Sequence, residues 1–362
     1  MGSGYTAPLS FQFFTKEIGN GQGGTGGTVE TPVNPDAGDV HIPFNPMKAS
    51  GFTMPTWTQI KEVLMGEIVE STFTPGSKEE GKQNISNAIY HAPFLLAKIF
   101  PKKAVGSWAD DTNATIAMTA ALADFVGTPE TICNHIHIND KDSSPNDIDV
   151  NLFGGRVEEY SWDFNNKDIL RENASIIYNN VAPGAIAYNS APTFQNQRYA
   201  MWNDTWIKDS RVRGIPYTAL TISTYAAMDA SIKIVGGSFK IKMPRSSEKL
   251  MEYVNTDSRT YIDPSLELDV SVIDDEMFTE ALAKFADRTD VTGKVKWTSG
   301  SFEEYLQCTK MKLEPDGIYD LPEVKDSPAM KKKLIFKPAS DAVLSFAGKY
   351  DMSELPDPTT YL

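Results

Sequence analysis

The sequence predicts a mainly β chain, an antiparallel sheet with one flanking α-helix. Two strands and the stretch that follows them predict it. Phe239, Ile241 and Met243 alternate with Ser238, Lys240 and Lys242, the period of a half-buried strand. Leu266, Leu268, Val270 and Val272 alternate in the same way with Glu267, Asp269 and Ser271. The period then changes. From Asp274 to Arg288, Met277, Phe278, Ala281, Leu282, Phe285 and Ala286 fall on one helical face. Asp274 or Asp275 can cap the first turn, and Lys284 and Arg288 suit the negative end. One amphipathic helix after two half-buried strands most simply covers an open face or end of an antiparallel sheet.

The chain has 362 residues, 41% hydrophobic and 10% aromatic, enough for a sizeable core in one large or two medium domains. No run approaches the roughly 18 uninterrupted apolar residues of a membrane span. Met1 to Phe14 lacks the basic and long apolar regions of a signal peptide. The two cysteines, Cys133 and Cys308, are far apart in sequence, so a reducing compartment is the easier reading. The formal charge is −14, with 12 basic and 22 acidic residues in 1–181 against 22 and 26 in 182–362. A protein that grips nucleic acid by its phosphates needs the opposite sign. An acidic chain is either simply soluble or keeps a polyanion from sticking.

In chain order, residues 1–55 read as an extended Gly/Pro-rich arm, with Gly19, Gly21, Gly23, Gly24, Gly26 and Gly27 in one run. That run lacks the Lys-Ser/Thr of a phosphate-binding loop. The domain proper is 56–362. Trp57, Ile60, Val63, Leu64 and Ile68 suit a short helix, with a strand through Glu67–Phe73 in competition. Pro93 and Pro101 bracket a short buried helix containing Phe94, Leu95, Leu96, Ile99 and Phe100. Residues 112–126 fit strand or helix equally. Thr131 to Ile138 alternates as a strand. Cys133, His135 and His137 share one face of it, but zinc needs three or four ligands and no second pair lies nearby in sequence, so these are core or edge residues. Ile148, Val150 and Leu152 form a strand that Gly154 and Gly155 are expected to break. Tyr160, Trp162 and Phe164 then point inward, Glu159 and Asp163 outward, and 175–181 returns as the second arm of a hairpin.

Residues 182–216 differ in kind. Tyr188, Phe194, Tyr199, Trp202 and Trp206 sit among Asn, Gln, Ala and Pro without a steady period. Such a segment suits an assembly interface, a sugar site or a long loop folded on its own domain. Lys294–Trp297 reads as a further strand, and Thr309, Met311 and Leu313 alternate with Lys310 and Lys312. Residues 331–337 and 343–350 read as a final strand pair, and 351–362 as a Pro-rich tail.

No nucleophile elbow, metalloprotease helix or phosphate-binding motif is present. Adjacent carboxylates such as Glu158/Glu159 diverge on a regular strand and make no acid/base pair. Neither catalytic residues, cofactor sites nor metal sites are expected.

The order of segments resembles the tail tube proteins of long-tailed bacteriophages and related tailed viruses. The resemblance runs through Phe153-Gly154-Gly155-Arg156-Val157-Glu158-Glu159-Tyr160-Ser161, the segment Ser258–Val272, the helix Asp275–Asp287 and the closing pair Lys331–Tyr350, and covers about residues 85–351. It implies an antiparallel β-sandwich or partly closed barrel with one flanking α-helix, long loops and the extended arm. It also implies a structural virion protein that forms stacked rings, usually six-fold, around passing viral DNA. The chain would be made in the host cytoplasm and reside in the virion tail. Its partners would be other copies of itself and the tape-measure, terminator and distal tail proteins. Lumen candidates are Glu158, Glu267 and Asp269. Lys240, Lys242, Lys310 and Lys312 are then expected outside the lumen or paired with acidic neighbours. The alternative is a carbohydrate-binding β-sandwich module of a virion or host-attachment protein, with Trp202 and Trp206 as the stacking platform.

Overall fold

A computed structural model describes residues 11–16, 42–44, 50–53, 56–60, 74–79, 81–88, 94–105, 114–126, 132–138, 148–165, 171–178, 180–183, 220–222, 234–250, 253–259, 261–271, 290–299, 302–314 and 331–350. The strands are β1 (Phe11–Lys16), β2 (Ile42–Phe44), β3 (Ser50–Thr53), β4 (Thr56–Ile60), β5 (Thr74–Glu79), β6 (Gly81–Ala88), β7 (Lys103–Val105), β8 (Ala114–Ala121), β9 (Ile132–Ile138), β10 (Ile148–Asn165) and β11 (Arg171–Tyr178). They continue as β12 (Asn180–Pro183), β13 (Leu220–Ile222), β14 (Ile234–Lys242), β15 (Arg245–Leu250), β16 (Tyr253–Arg259), β17 (Asp263–Ser271), β18 (Val291–Ser299), β19 (Phe302–Leu313), β20 (Lys331–Pro338) and β21 (Val343–Tyr350). Helix is confined, among the described residues, to α1 (Phe94–Ala97) and one 3₁₀ turn over Leu122–Phe125.

Every described ladder is antiparallel. One sheet runs β3-β6-β11-β10-β14-β17-β20. The other runs β7-β8-β21-β19-β18-β13. Their inner faces meet: the Trp162 ring of β10 packs edge-on against Phe346 of β21, centroids 6.1 Å apart. A methyl group at Gly293 of β18 would lie 2.9 Å from Leu266 of β17. This is sandwich packing, two apolar faces closing on one core. The sheets are joined at one corner, where Met311–Leu313 of β19 leaves β18 and β21 and pairs with Phe336–Pro338 of β20. Following the ladders outward from that corner, none of them returns to its start, so among the described residues the expected antiparallel architecture is present as a sandwich whose sheet is not closed into a barrel. A third layer, β2-β1-β9-β10-β12, uses the first half of β10.

The corner has a local cause. Along β19 the buried residues are Glu304, Leu306 and Cys308, and then Met311 and Leu313. The inward phase therefore shifts by one residue between Cys308 and Met311. Lys310 supplies the shift with φ 50°, the left-handed region that is uncommon for a side-chain-bearing residue. Opposite it, Val291 and Gly293 pair with Met311 and Cys308, two β18 steps against three on β19, which is a β-bulge. The turn before β21 clamps it. The Ala339 N–H donates to the Lys310 carbonyl at 2.8 Å and the Val343 N–H to Thr309 Oγ1 at 3.0 Å, and Asp341 pairs with the Lys310 ammonium. Sequence alternation alone puts Thr309 with Met311; the bulge puts Cys308 there instead. Lys310→Val is expected to lower the melting temperature, because a β-branched residue fits this conformation worst, while Lys310→Gly leaves it unchanged or raises it.

Other expectations resolve as follows. The short buried helix between Pro93 and Pro101 is present as α1, with Leu95, Leu96, Ile99 and Phe100 in the core. Residues 56–60 are strand β4, because their ladder to β5 outweighs a weak helical period. Gly154 and Gly155 do not break their strand. Gly154 takes φ 63° and the register slips between Leu152 and Gly155, so the glycines bend one continuous β10. The 171–178 arm pairs with β10 as a hairpin, but no described ladder joins β20 to β21, which pair instead with different stretches of β19. Within residues 1–55, β1 pairs with β9 and β3 with β6. The helix at 275–287, the glycine run at 19–27 and the aromatic residues Tyr188, Phe194, Tyr199, Trp202 and Trp206 lie outside the described residues.

Candidate functional site

The outer face of the β10 sheet carries the three lumen candidates. Strand alternation puts Glu267 and Asp269 of β17 there, because Leu266 and Leu268 point into the core. Glu158 arrives by a different route. Val157 pairs with Ile176 and Glu159 with Ser175, so Glu158 is the extra residue of a bulge, its carbonyl accepting the Met243 N–H at 2.9 Å. Its carboxylate meets Lys82 of β6 at 3.3 Å on the outer face. The bulge therefore turns Glu158 to the side that Glu159, Ser161 and Asp163 already occupy. Sequence parity, which separates adjacent carboxylates, is corrected here.

Charges on this face alternate strand by strand. One row reads Asp163, Ser238, Glu267 across β10, β14 and β17. The next reads Ser161, Lys240, Ser265, and the next Glu159, Lys242, Asp263. Glu267 holds Lys240 at 2.9 Å and also pairs with Lys333 of β20. Burial alone would raise its pKa, but the hydrogen bonds from Lys333 and Lys240 prevail and hold it below the ordinary carboxylate value. Lys337 meets Asp263 at 2.7 Å. Asp269 stands in register with Lys333. Of the lysines expected to be paired, Lys240, Lys310 and Lys312 have carboxylate partners within the chain, Lys312 through Asp290 at 3.5 Å. Lys242 is exposed between Asp263 and Glu159 in its row.

A shallow depression of about 270 Å³ lies on the same face, lined by Asn84, Glu159, Ser161, Asn173 and Ser175. Asp163 borders it. Burial pushes that carboxyl above its ordinary value, although Ser161 at 3.2 Å, Lys240 and Asn173 at 2.5 Å favour the charged form. The Ser175 hydroxyl has no hydrogen-bond partner.

Inside the sandwich is a polar cluster that the sequence reading did not single out. The Trp162 indole N–H donates to the Tyr160 hydroxyl at 2.9 Å, and that hydroxyl donates to Glu172 of β11 at 2.7 Å. Burial, then the Glu172 charge, pushes the Tyr160 phenol well above its ordinary range. A second cluster, Asn134 of β9 with Gln83 and Tyr178, fixes the third layer to the β10 sheet at 2.6–3.1 Å. Parity was the available signal. Glu172 is in phase with Ala174 and Ile176, Gln83 with Ile85, and Glu304 with Leu306, all of them buried.

Among the described residues, no group of three or more His, Cys, Asp or Glu side chains is placed to hold a metal ion. Cys133, His135 and His137 lie on β9, their side chains outside the described set. Burial pushes the Cys308 thiol up to about 12, which removes it as a nucleophile at neutral pH. No described helix is long and apolar enough to cross a membrane. No protein-family model matches the chain and no curated protein matches it.

Proposed function

We propose that the chain is a structural virion protein whose copies assemble into stacked rings, forming the tail tube through which viral DNA passes. The observation that carries this reading is the outer face of the β10 sheet. Lys82, Lys240, Lys333 and Lys337 there pair with carboxylates of the same chain, and Lys242 stands in register between Glu159 and Asp263. Such a surface offers a polyanion neither a run of free cations nor a strongly repelling wall. Two further features support it. Among the described residues the sandwich is open, and an edge strand of such a sheet is a natural place for pairing between subunits. The hairpins β4–β5 and β15–β16 join no other described strand, and a lone two-stranded hairpin is marginal in water without a partner. The role is architectural, not enzymatic. The proposed partners are further copies of the chain, with other tail proteins at the tube ends.

Electron microscopy of the purified full chain tests the assembly: rings or tubes are expected, and particles that stay monomeric at high concentration would sink it. Placement of the lumen has a separate test. Reversing all three candidates, Glu158→Lys, Glu267→Lys and Asp269→Lys, is expected to make assembled tubes retain duplex DNA in a salt-dependent way, unlike the wild type. Equal retention by both would put these residues elsewhere.

The depression gives a specific reason to keep a second reading, a carbohydrate-binding module. Its hydroxyls, amides and carboxylate match the donors and acceptors of a sugar. Binding to a glycan array by a chain that forms no rings would favour it over the tube.

A further inference from the structure

We propose that Glu172 is a proton-operated lock in the core of the sandwich, closing the two sheets when protonated and loosening them when ionised. The geometry is a buried chain of donors. Trp162 donates to Tyr160, and Tyr160 donates to Glu172, so the carboxyl stands at the accepting end of a fixed sequence. Trp162 is also the residue that touches the opposite sheet, through Phe346. Any movement of Glu172 therefore reaches the contact between the sheets through two hydrogen bonds.

The surroundings explain why a proton matters here. From β10, the group facing Glu172 is the Tyr160 hydroxyl. From β6, the residue in register is Asn87, which is uncharged. From β19 comes Glu304, itself buried, whose charge acts on Tyr160 in the same direction as that of Glu172. From β21, Phe346 meets Trp162 at the far end of the donor chain. Among the described residues no cation pairs with Glu172. Ionisation therefore puts a negative charge with no described cation beside it into the core, in a medium where charges are poorly screened.

Burial raises the Glu172 carboxyl from 4.5 to about 7, against the opposing Tyr160 hydrogen bond. The folded chain thus holds this proton more tightly than the unfolded chain does. The sign follows from linkage: the contribution to stability is fully present below about 4.5 and is lost as the pH rises through about 7. Glu267 and Asp341, whose values are lowered by their lysines, act in the opposite sense, gaining stability above their unfolded values and losing it on acidification. The two windows are separable by pH. The inference does not depend on what the chain assembles into.

The test uses the full-length chain between pH 5 and 9. In the wild type, the melting temperature and the hydrogen-exchange protection of β10 and β11 amides are expected to fall together as the pH rises through neutrality. Glu172→Gln keeps an acceptor for Tyr160 but cannot ionise, and is expected to flatten that fall. A slope identical to the wild type's would overturn the proposal. Should the variant not fold, infrared spectroscopy of the wild type decides the matter. A protonated carboxylic acid band that persists at pH 6 and disappears near pH 8 supports the lock, and its absence at pH 6 overturns it.

Discussion

Gly155→Val is expected to destabilise the folded chain by about 3 kcal/mol or more, among the largest effects of any single substitution in the sandwich. The position has no room. A Cβ there would stand 2.6 Å from Tyr178 Cε1, 2.7 Å from the Ile132 carbonyl oxygen and 2.9 Å from Ile132 Cγ1. The side-chain contacts could be relieved by rotation, but Tyr178 is held by Gln83 and Asn134. The carbonyl cannot be relieved so cheaply, because Ile132 is the β9 residue in register with Gly155. Moving it breaks the ladder that attaches the third layer. Gly154 next door poses a different problem. Its φ of 63° makes Gly154→Ala a matter of backbone strain, about 1–2 kcal/mol. Denaturant unfolding of Gly154→Ala, Gly155→Ala and Gly155→Val should therefore rank Gly155→Val as the most damaging. An equal, small loss for all three would show that β9 does not press on β10 at this point.

The same pair of glycines shows what could and could not be read from the sequence. Period-two alternation made β14, β17 and the second half of β10 legible, because one face of each is buried and the other more exposed. It failed where an extra residue enters a strand. Gly154–Gly155 looked like a break because glycine is a poor strand former, yet the ladders on both sides carry the chain through. Glu158 and Lys310 sit at bulges that no alternation can reveal, since the pattern on each side of them is regular and only the phase differs. Two consequences followed for the candidate site. The strand that carries Glu158 is legible in the sequence, but its place beside Glu159 on one face is not. Glu172 was overlooked because it lies between Arg171 and Asn173, which look like a solvated turn, although its parity with Ala174, Ile176 and Tyr178 puts it inside. The lysine partners Glu267, Asp263 and Asp341 depend on register between strands distant in sequence. That information is tertiary.

Trp162→Ala is the second large effect, with an expected loss of about 3–5 kcal/mol. Trp162 is 1% exposed and does three things at once. It fills the space between the sheets, it contacts Phe346 edge-on at 79°, and its indole N–H satisfies the Tyr160 hydroxyl. Alanine removes all three and leaves a cavity that the ladders on both flanks of β10 prevent from collapsing. The contributions can be separated. Trp162→Phe keeps most of the volume and an aromatic edge but loses the donor, so about 1–3 kcal/mol is expected from the polar deficit and the smaller ring. Phe346→Ala removes the partner ring from the other sheet. In a double-mutant cycle with Trp162→Ala, a coupling of about 0.5–1.5 kcal/mol is expected from the ring contact. Strictly additive losses would mean that the two rings do not meet, and with that the face-to-face arrangement of the β10 and β21 sheets would fall, whatever the chain does in the cell.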